Sequence, residues 1–133
     1  MPALTFNLDT TEPCEFVDIT DAVSGMLPDM PGAGAVLVSS VHTTAAITVN
    51  EGHDPDVQAD LLRALAPLAQ RDDYEHEEGN SDAHLKVALL GSSQLVPISG
   101  GRLQLGKWQR IFFCEFDGPR KSRMVVITPL AGA

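Results

Sequence analysis

The first 50 residues of this 133-residue chain contain six acids and no lysine or arginine at all. The whole chain has a single Trp, a single Tyr and five Phe, and only two cysteines, Cys14 and Cys114, a hundred positions apart. Each scarcity excludes something. Two cysteines allow at most one buried disulfide, not a framework, and two reduced core thiols in a cytosolic protein are the expectation. No apolar run approaches the roughly 18 residues that cross a bilayer. The opening MPALTFNLDTTEPCE has neither a basic start nor a long apolar stretch, so no signal peptide is expected. GxSxG, GxGxxG, HExxH and CxxC are absent, as is the phosphate-binding GxxxxGK followed by Ser or Thr.

What remains is ordinary globular material: 44% hydrophobic, 20% charged, enough for one domain over residues 1–133 with a core of its own. Net charge is −9, unevenly spread. Residues 51–82 hold ten acids against Arg63 and Arg71, whereas residues 83–133 hold seven bases against Glu115 and Asp117. An acidic chain without a basic, aromatic-studded stripe does not suit nucleic acid or an anionic membrane. It does suit a small phosphorylated ligand, held where late cations meet the acids and histidines of the middle, with or without a metal.

Alternation in LTFNLD (4–9) and EFVDI (15–19) predicts two strands exposed on one face. Asp21 is placed to cap a short helix over 22–27, and AVLVSSV (35–41) and AAITVN (45–50) read as buried strands. Asp54 and Pro55 open an amphipathic helix that Pro67 should end or bend. After the polar loop QRDDYEHEEGNSD (70–82), Asn80, Ser81 or Asp82 caps a second helix over AHLKVALL, stopped by Gly91. SQLVPIS and RLQLG flank Gly100-Gly101, and KWQRIFFCEF and RKSRMVVIT flank Asp117-Gly118-Pro119, which read as two hairpins. The expected class is α+β, with a mostly antiparallel sheet or sandwich and two or three helices.

Four histidines are candidates for chemistry. His42 opens HTTAAITVNE (42–51), which sets an imidazole and hydroxyls at one end and Asn50 and Glu51 at the other. His76 and His84 bracket a stretch dense in oxygen ligands, including Asn80 and Asp82. His42, His76 and His84 together suit zinc or nickel, while the carboxylates suit magnesium or manganese. Anion binding by the same histidines competes with that reading. His53 reads as a surface residue. Cys114, amid apolar neighbours, reads as a packed thiol, and Trp108 as core or interface.

The segments HTTAAITVNE, DPDVQAD (54–60), YEHEEGNSDAHLK (74–86), GRLQLGKWQ (101–109) and EFDGPR (115–120) resemble, in order, the YjbQ-type family, often labelled secondary thiamine-phosphate synthase. The matched polar positions are His42, Thr43, Asn50, Glu51, His76, Asn80, Asp82, His84, Lys86, Trp108, Gln109 and Arg120. Thr44, Gly52, Ser81 and Lys107 depart from the usual Ser, Asn, Ala and Thr, and Gly52 leaves a ligand-facing amide missing. The resemblance implies a β-sandwich core, a homotrimer, and a weak ability to join hydroxymethylpyrimidine diphosphate to thiazole phosphate with release of pyrophosphate. Lys86, Arg120 or a divalent metal on Asp82 and Glu51 would neutralise the pyrophosphate. Glu51 and His84 would otherwise be an acid–base pair of a hydrolase or lyase on a phosphorylated metabolite. A third expectation is a metal- or ligand-binding module without turnover. Thr43, Asn50, Asn80, Trp108, Gln109 and Arg120 are the expected substrate contacts, and Glu51, Asp82, His84 and Lys86 the expected catalytic groups.

Overall fold

In the computed structural model, which describes residues 1–132, alternating apolar residues fold into two antiparallel sheets. The strands are β1 (Leu4–Leu8), β2 (Glu15–Asp18), β3 (Ala33–Ser40), β4 (Ala45–Glu51), β5 (Ser93–Ser99), β6 (Arg102–Leu103), β7 (Gln109–Glu115) and β8 (Arg123–Ala131). The larger sheet runs β1-β8-β3-β5-β6 and the smaller β2-β7-β4. The helices are α1 (Thr20–Met26), extended by a 3-10 turn over Leu27–Asp29, α2 (Pro55–Ala69) and α3 (Ser81–Leu90). Among the described residues no helix is long and apolar enough to cross a membrane.

Period-two alternation sends each strand's residues to opposite faces, and here both faces of the smaller sheet are used. Val36, Val38, Val96, Val125 and Ile127 of the larger sheet pack against Ile47, Ile111 and Phe113 of the smaller, with Val23 and Leu27 closing one side. On the reverse face, Ala46, Phe112, Cys114 and Phe116 meet Leu62 and Leu65 of α2 and Ala83, Val87 and Leu90 of α3. The architecture is therefore three layers: sheet, sheet, helices. The expected α+β sandwich with its helices is what the chain forms.

Several local expectations are corrected. The Asp117 turn does not make a hairpin, because β7 and β8 belong to different sheets; the chain crosses the sandwich there. The same holds for β3 and β4 around His42. Gly100 and Gly101 do turn a hairpin, both with positive φ, but β6 pairs over two residues only. The first helix starts at Thr20 rather than 22, since Asp18 accepts from the Thr20 N–H at 3.0 Å. Pro67 does not end α2, which runs to Ala69. A proline so near the end orphans one carbonyl, that of exposed Arg63, while buried Ala69 anchors the last turn.

One polar contact lies inside the sandwich. Glu115 of β7 is 0% exposed, and Arg123 of β8 grips it through Nε–Oε2 at 2.8 Å and Nη2–Oε1 at 2.5 Å. The Thr10 hydroxyl (2.8 Å) and the Asp117 N–H (3.0 Å) donate to the same carboxylate, and Arg123 donates to Thr44 Oγ1 at 2.9 Å. Burial opposes ionisation of Glu115, but these donors outweigh it and hold its pKa below the ordinary 4.5. Arg123→Met should cost about 3–5 kcal/mol in urea unfolding, because it leaves a buried carboxylate unpaired. Since the folded pKa is depressed, the pair stabilises above the unfolded value, and that share is lost as pH falls through the lower folded value.

Candidate functional site

Above that ion pair, three chain segments meet: the β3–β4 turn with His42–Thr44, the β7–β8 turn with Asp117–Arg120, and the N-terminus of α3. Between the β3–β4 turn and the middle of α3 lies an open groove of about 410 Å³, lined by Ser40, His42, Thr43, His84 and Ser92 over an apolar floor that includes Val87. His84, Val87 and Ala88 are three and four apart, so they form one stripe along α3 on the groove side.

The hydrogen bonds define both imidazoles. The Met124 backbone N–H can only donate, so at 2.9 Å His42 Nε2 must accept, and His42 is neutral with its proton on Nδ1. Burial, then the Arg123 charge, push His42 below its ordinary 6.5 against the opposing pull of Glu115. His84 Nδ1 sits 3.0 Å from the Thr43 carbonyl, which can only accept. That bond puts the His84 proton on Nδ1 and leaves Nε2 to face a ligand or a proton. His76 packs edge-on to His84, with ring centres 5.5 Å apart.

Asn80 stands at the N-cap of α3 without capping it. Its Nδ2 donates instead to Asp117 Oδ2 at 2.9 Å, which leaves its buried Oδ1 without a donor. Arg120 holds the same Asp117 oxygen at 2.9 Å while staying half-exposed. Burial opposes ionisation of Asp117, but Asn80 and Arg120 outweigh it and keep it below its ordinary 3.8.

His42, Thr43, His76, Asn80, His84 and Arg120 are thus brought to one end of the molecule. The other expected site residues are not. Asn50 and Glu51 end β4, where Glu51 pairs with Gln109, while Ala45 pairs with Glu115 at the histidine end. Seven extended residues span roughly 20 Å, so one chain cannot pair Glu51 with His84 as acid and base. Glu51 instead accepts from the backbone N–H groups of His53 and Asp54 and shapes the turn into α2. Asp82 lies two residues before His84, about 200° around the helix, in a shallow hollow with Gln70, Arg71 and Tyr74. Lys86 is 4% exposed, against Phe116 and Cys14, so it reaches no ligand in the groove. Among the described residues, no group of three or more His, Cys, Asp or Glu is arranged to hold a metal ion. The reason is plain at His42, whose Nε2 is committed to Met124.

At the far end, Trp108 is not in the core: it is 47% exposed on the chain surface, with the His53 ring centre at 4.7 Å and Lys107 Nζ at 4.7 Å. These line a hollow of about 320 Å³ with Asp18, Gly52 and Arg110. A β-carbon on Gly52 would collide with the Arg110 side chain, so the space of the missing amide is filled by Arg110 on its way to Asp18 and Asp21.

Residues 4–132 match the family model described as "UPF0047 protein YjbQ-like". The chain belongs to the UPF0047 family of YjbQ-like proteins. It is 46% identical to UPF0047 protein YugU of Bacillus subtilis over 122 residues, 87% of this chain and 90% of that one. A UPF0047 protein of Archaeoglobus fulgidus is 40% identical over 125 residues, 92% of this chain and 98% of that one. Among solved structures, an uncharacterized YjbQ/UPF0047-family protein from Clostridium acetobutylicum superposes with a TM-score of 0.91 at 43% identity, covering 96% and 99% of the two chains. A conserved hypothetical protein from Thermus thermophilus gives 0.87 at 45% identity, with coverage of 96% and 99%.

What sequence reasoning missed is the support beneath the groove: Thr10, Glu115, Asp117 and Arg123. A signal for it existed, since Glu115 shares parity with buried Ile111 and Phe113, and Arg123 with Val125 and Ile127. His42 supplies a pH test. Its folded pKa is depressed, so the unfolded chain takes up a proton first and stability falls as pH drops from about 7.5 through 6.5. In thermal unfolding, His42→Gln should keep most of the stability at about pH 7.5, because an amide oxygen can accept from Met124. It should also show a shallower loss between about pH 7 and 5.5.

Proposed function

We propose that this protein is a weak thiamine-phosphate synthase-type transferase acting in the His42–His84 groove, on hydroxymethylpyrimidine diphosphate and thiazole phosphate. The reading rests on the motif resemblance. The observation that carries it to this place is a pair of imidazoles held by backbone hydrogen bonds, His84 Nδ1 to the Thr43 carbonyl and His42 Nε2 from the Met124 N–H, in a ligand-sized groove along α3. Attack of the thiazole nitrogen on the pyrimidine methylene breaks the carbon–oxygen bond to the diphosphate, so no protein nucleophile is required. The need is to stabilise departing pyrophosphate. Arg120 keeps half its side chain exposed beside Asp117, and the uncapped start of α3 presents backbone N–H groups, which together favour a phosphate group. His84 Nε2 is the group free to accept or share a proton there.

A divalent ion would supply the remaining charge. His76 and His84 are adjacent enough to hold one jointly with ligand phosphates, as magnesium, manganese, zinc or nickel would allow in different degrees.

The protein would work as a homotrimer in the cytoplasm. A cyclic trimer joins one patch of each subunit to a different patch of the next. Such packing lets the Trp108–Gln109–Glu51 end of one subunit approach the histidine end of its neighbour, which unites the two sets of motif residues. The exposed apolar side chains Leu95, Met124 and Leu130 on the outer face of the larger sheet suit burial in that assembly.

Natively purified protein should release pyrophosphate from the two thiamine precursors. His84→Ala should lower that rate at least tenfold with the fold intact, a loss of about 1.4 kcal/mol of transition-state stabilisation. Plain hydrolysis of the diphosphate would point instead to a hydrolase, and ligand binding without any turnover to a module. Light scattering should return three times the 14.2 kDa chain mass; a single-chain mass throughout the micromolar range would refute the trimer.

A further inference from the structure

Lys86 sits on the buried face of α3, 4% exposed. Its Nζ is 3.7 Å from Cys14 Sγ and 5.3 Å from the centre of the Phe116 ring. Among the described residues no carboxylate forms an ion pair with it, and sulfur is its one hydrogen-bonding partner. A buried amine without an anionic partner is costly, and this one is aimed at a free, half-buried thiol.

The other cysteine is a poor partner for Cys14. Cys114 is opposite Phe16 across β2 and β7, which makes it the diagonal neighbour of position 14. Diagonal pairs stand about 7–8 Å apart, beyond the usual reach of a disulfide. Cys114 is also 0% exposed, and burial pushes its thiol far up, away from the reactive thiolate. A resolving thiol is therefore missing beside Cys14, while an amine is in contact with it.

We propose that Cys14 and Lys86 form a peroxide-sensitive latch, in which oxidation of the thiol is captured by the lysine as a covalent sulfur–nitrogen link. The co-reactant is a hydroperoxide. The Cys14 sulfur attacks its terminal oxygen, the O–O bond breaks, an S–O bond forms, and water leaves, in the case of hydrogen peroxide. The sulfur is oxidised by two electrons to the sulfenic acid and the peroxide is reduced. Lys86 Nζ, having released a proton to water, then directs its lone pair at that sulfur. The S–N bond forms, the S–O bond breaks, and the hydroxyl departs as a second water with one amine hydrogen. The product is a sulfenamide, the amine counterpart of the link that sulfenic acids form with backbone nitrogen. Two equivalents of an external thiol restore the cysteine and the lysine and leave as a disulfide. The link ties the entry to β2 onto α3, closing a long loop of chain, so the oxidised form should resist unfolding better than the reduced one.

The test uses the full chain, treated with a small excess of hydrogen peroxide and read by intact mass and peptide mapping. The expected result is loss of two hydrogen masses with no gain of oxygen, reversed by dithiothreitol, and a linked peptide pair containing Cys14 and Lys86. Cys114→Ser should behave identically, which separates this link from a Cys14–Cys114 disulfide of the same mass change. Lys86→Met should instead gain one oxygen at Cys14, trapped by dimedone. Mapping of the unsubstituted protein decides the matter should that variant fail to fold. Oxygen gain alone in the unsubstituted protein would overturn the proposal, as would a linked Cys14–Cys114 peptide, a disulfide dimer, or an unmodified Cys14.

Discussion

The buried pair between Glu115 and Arg123 ties the two sheets to each other at the end where the groove lies. β7 and β8 are consecutive but belong to different sheets, and the ion pair is where they meet across the sandwich. Both side chains are nearly out of solvent, at 0% and 8% exposure. A pair so placed is tolerable because both carboxylate oxygens and two guanidinium nitrogens have partners. Thr10 and the Asp117 N–H complete the carboxylate, and Thr44 takes a guanidinium hydrogen. Three separate segments are thereby anchored to one point: the chain after β1, the β3–β4 turn and the β7–β8 turn.

The groove inherits its geometry from that anchoring. Thr44 is fixed from below, so the neighbouring Thr43 carbonyl is held where it can orient His84. β8 is fixed at Arg123, so the next backbone N–H, that of Met124, is presented to His42. The Arg123 charge also helps to keep His42 neutral. Asp117, attached to Glu115 through its backbone, turns its carboxylate toward Asn80 and Arg120. An imidazole on a turn and another in the first turn of α3 are thus positioned by a rigid network, which is how such a site gains precision.

Much of the fold was legible in the residues. Alternation placed the strands, Asp54-Pro55 placed the start of α2, and Gly91 and Gly100-Gly101 placed a helix end and a hairpin, each for a local steric or hydrogen-bonding reason. Legibility failed where two local signals conflicted with a long-range one. Asp117-Gly118-Pro119 has hairpin chemistry, yet the strands on either side part to different sheets. Asn80 has cap chemistry, yet its amide goes to Asp117 and leaves α3 uncapped. Of the candidate site, His42, Thr43, His76, Asn80, His84 and Arg120 came together as residue type and motif suggested. Glu51, Asn50, Trp108 and Gln109 did not, because a straight seven-residue strand separates them from the histidines. Lys86 and Asp82 fell on other faces of α3, which a helical count from His84 would already have revealed.

The sequence by itself determined what is local: which segments extend, which coil, where the glycines bend the chain, and the family to which the motifs belong. Those follow from steric preference and from periodicities of about two and 3.6 residues, and they need no knowledge of a partner segment. Only the tertiary structure decided which polar residues share a site, which imidazole nitrogen carries the proton, and which charges are buried. It placed Lys86 against Cys14, 72 positions earlier in the chain. It also set Glu115 and Arg123 face to face across the sandwich. Such pairings depend on strand order and sheet assignment, which the burial of two opposed apolar faces settles for the molecule as a whole, and which no short window of sequence contains.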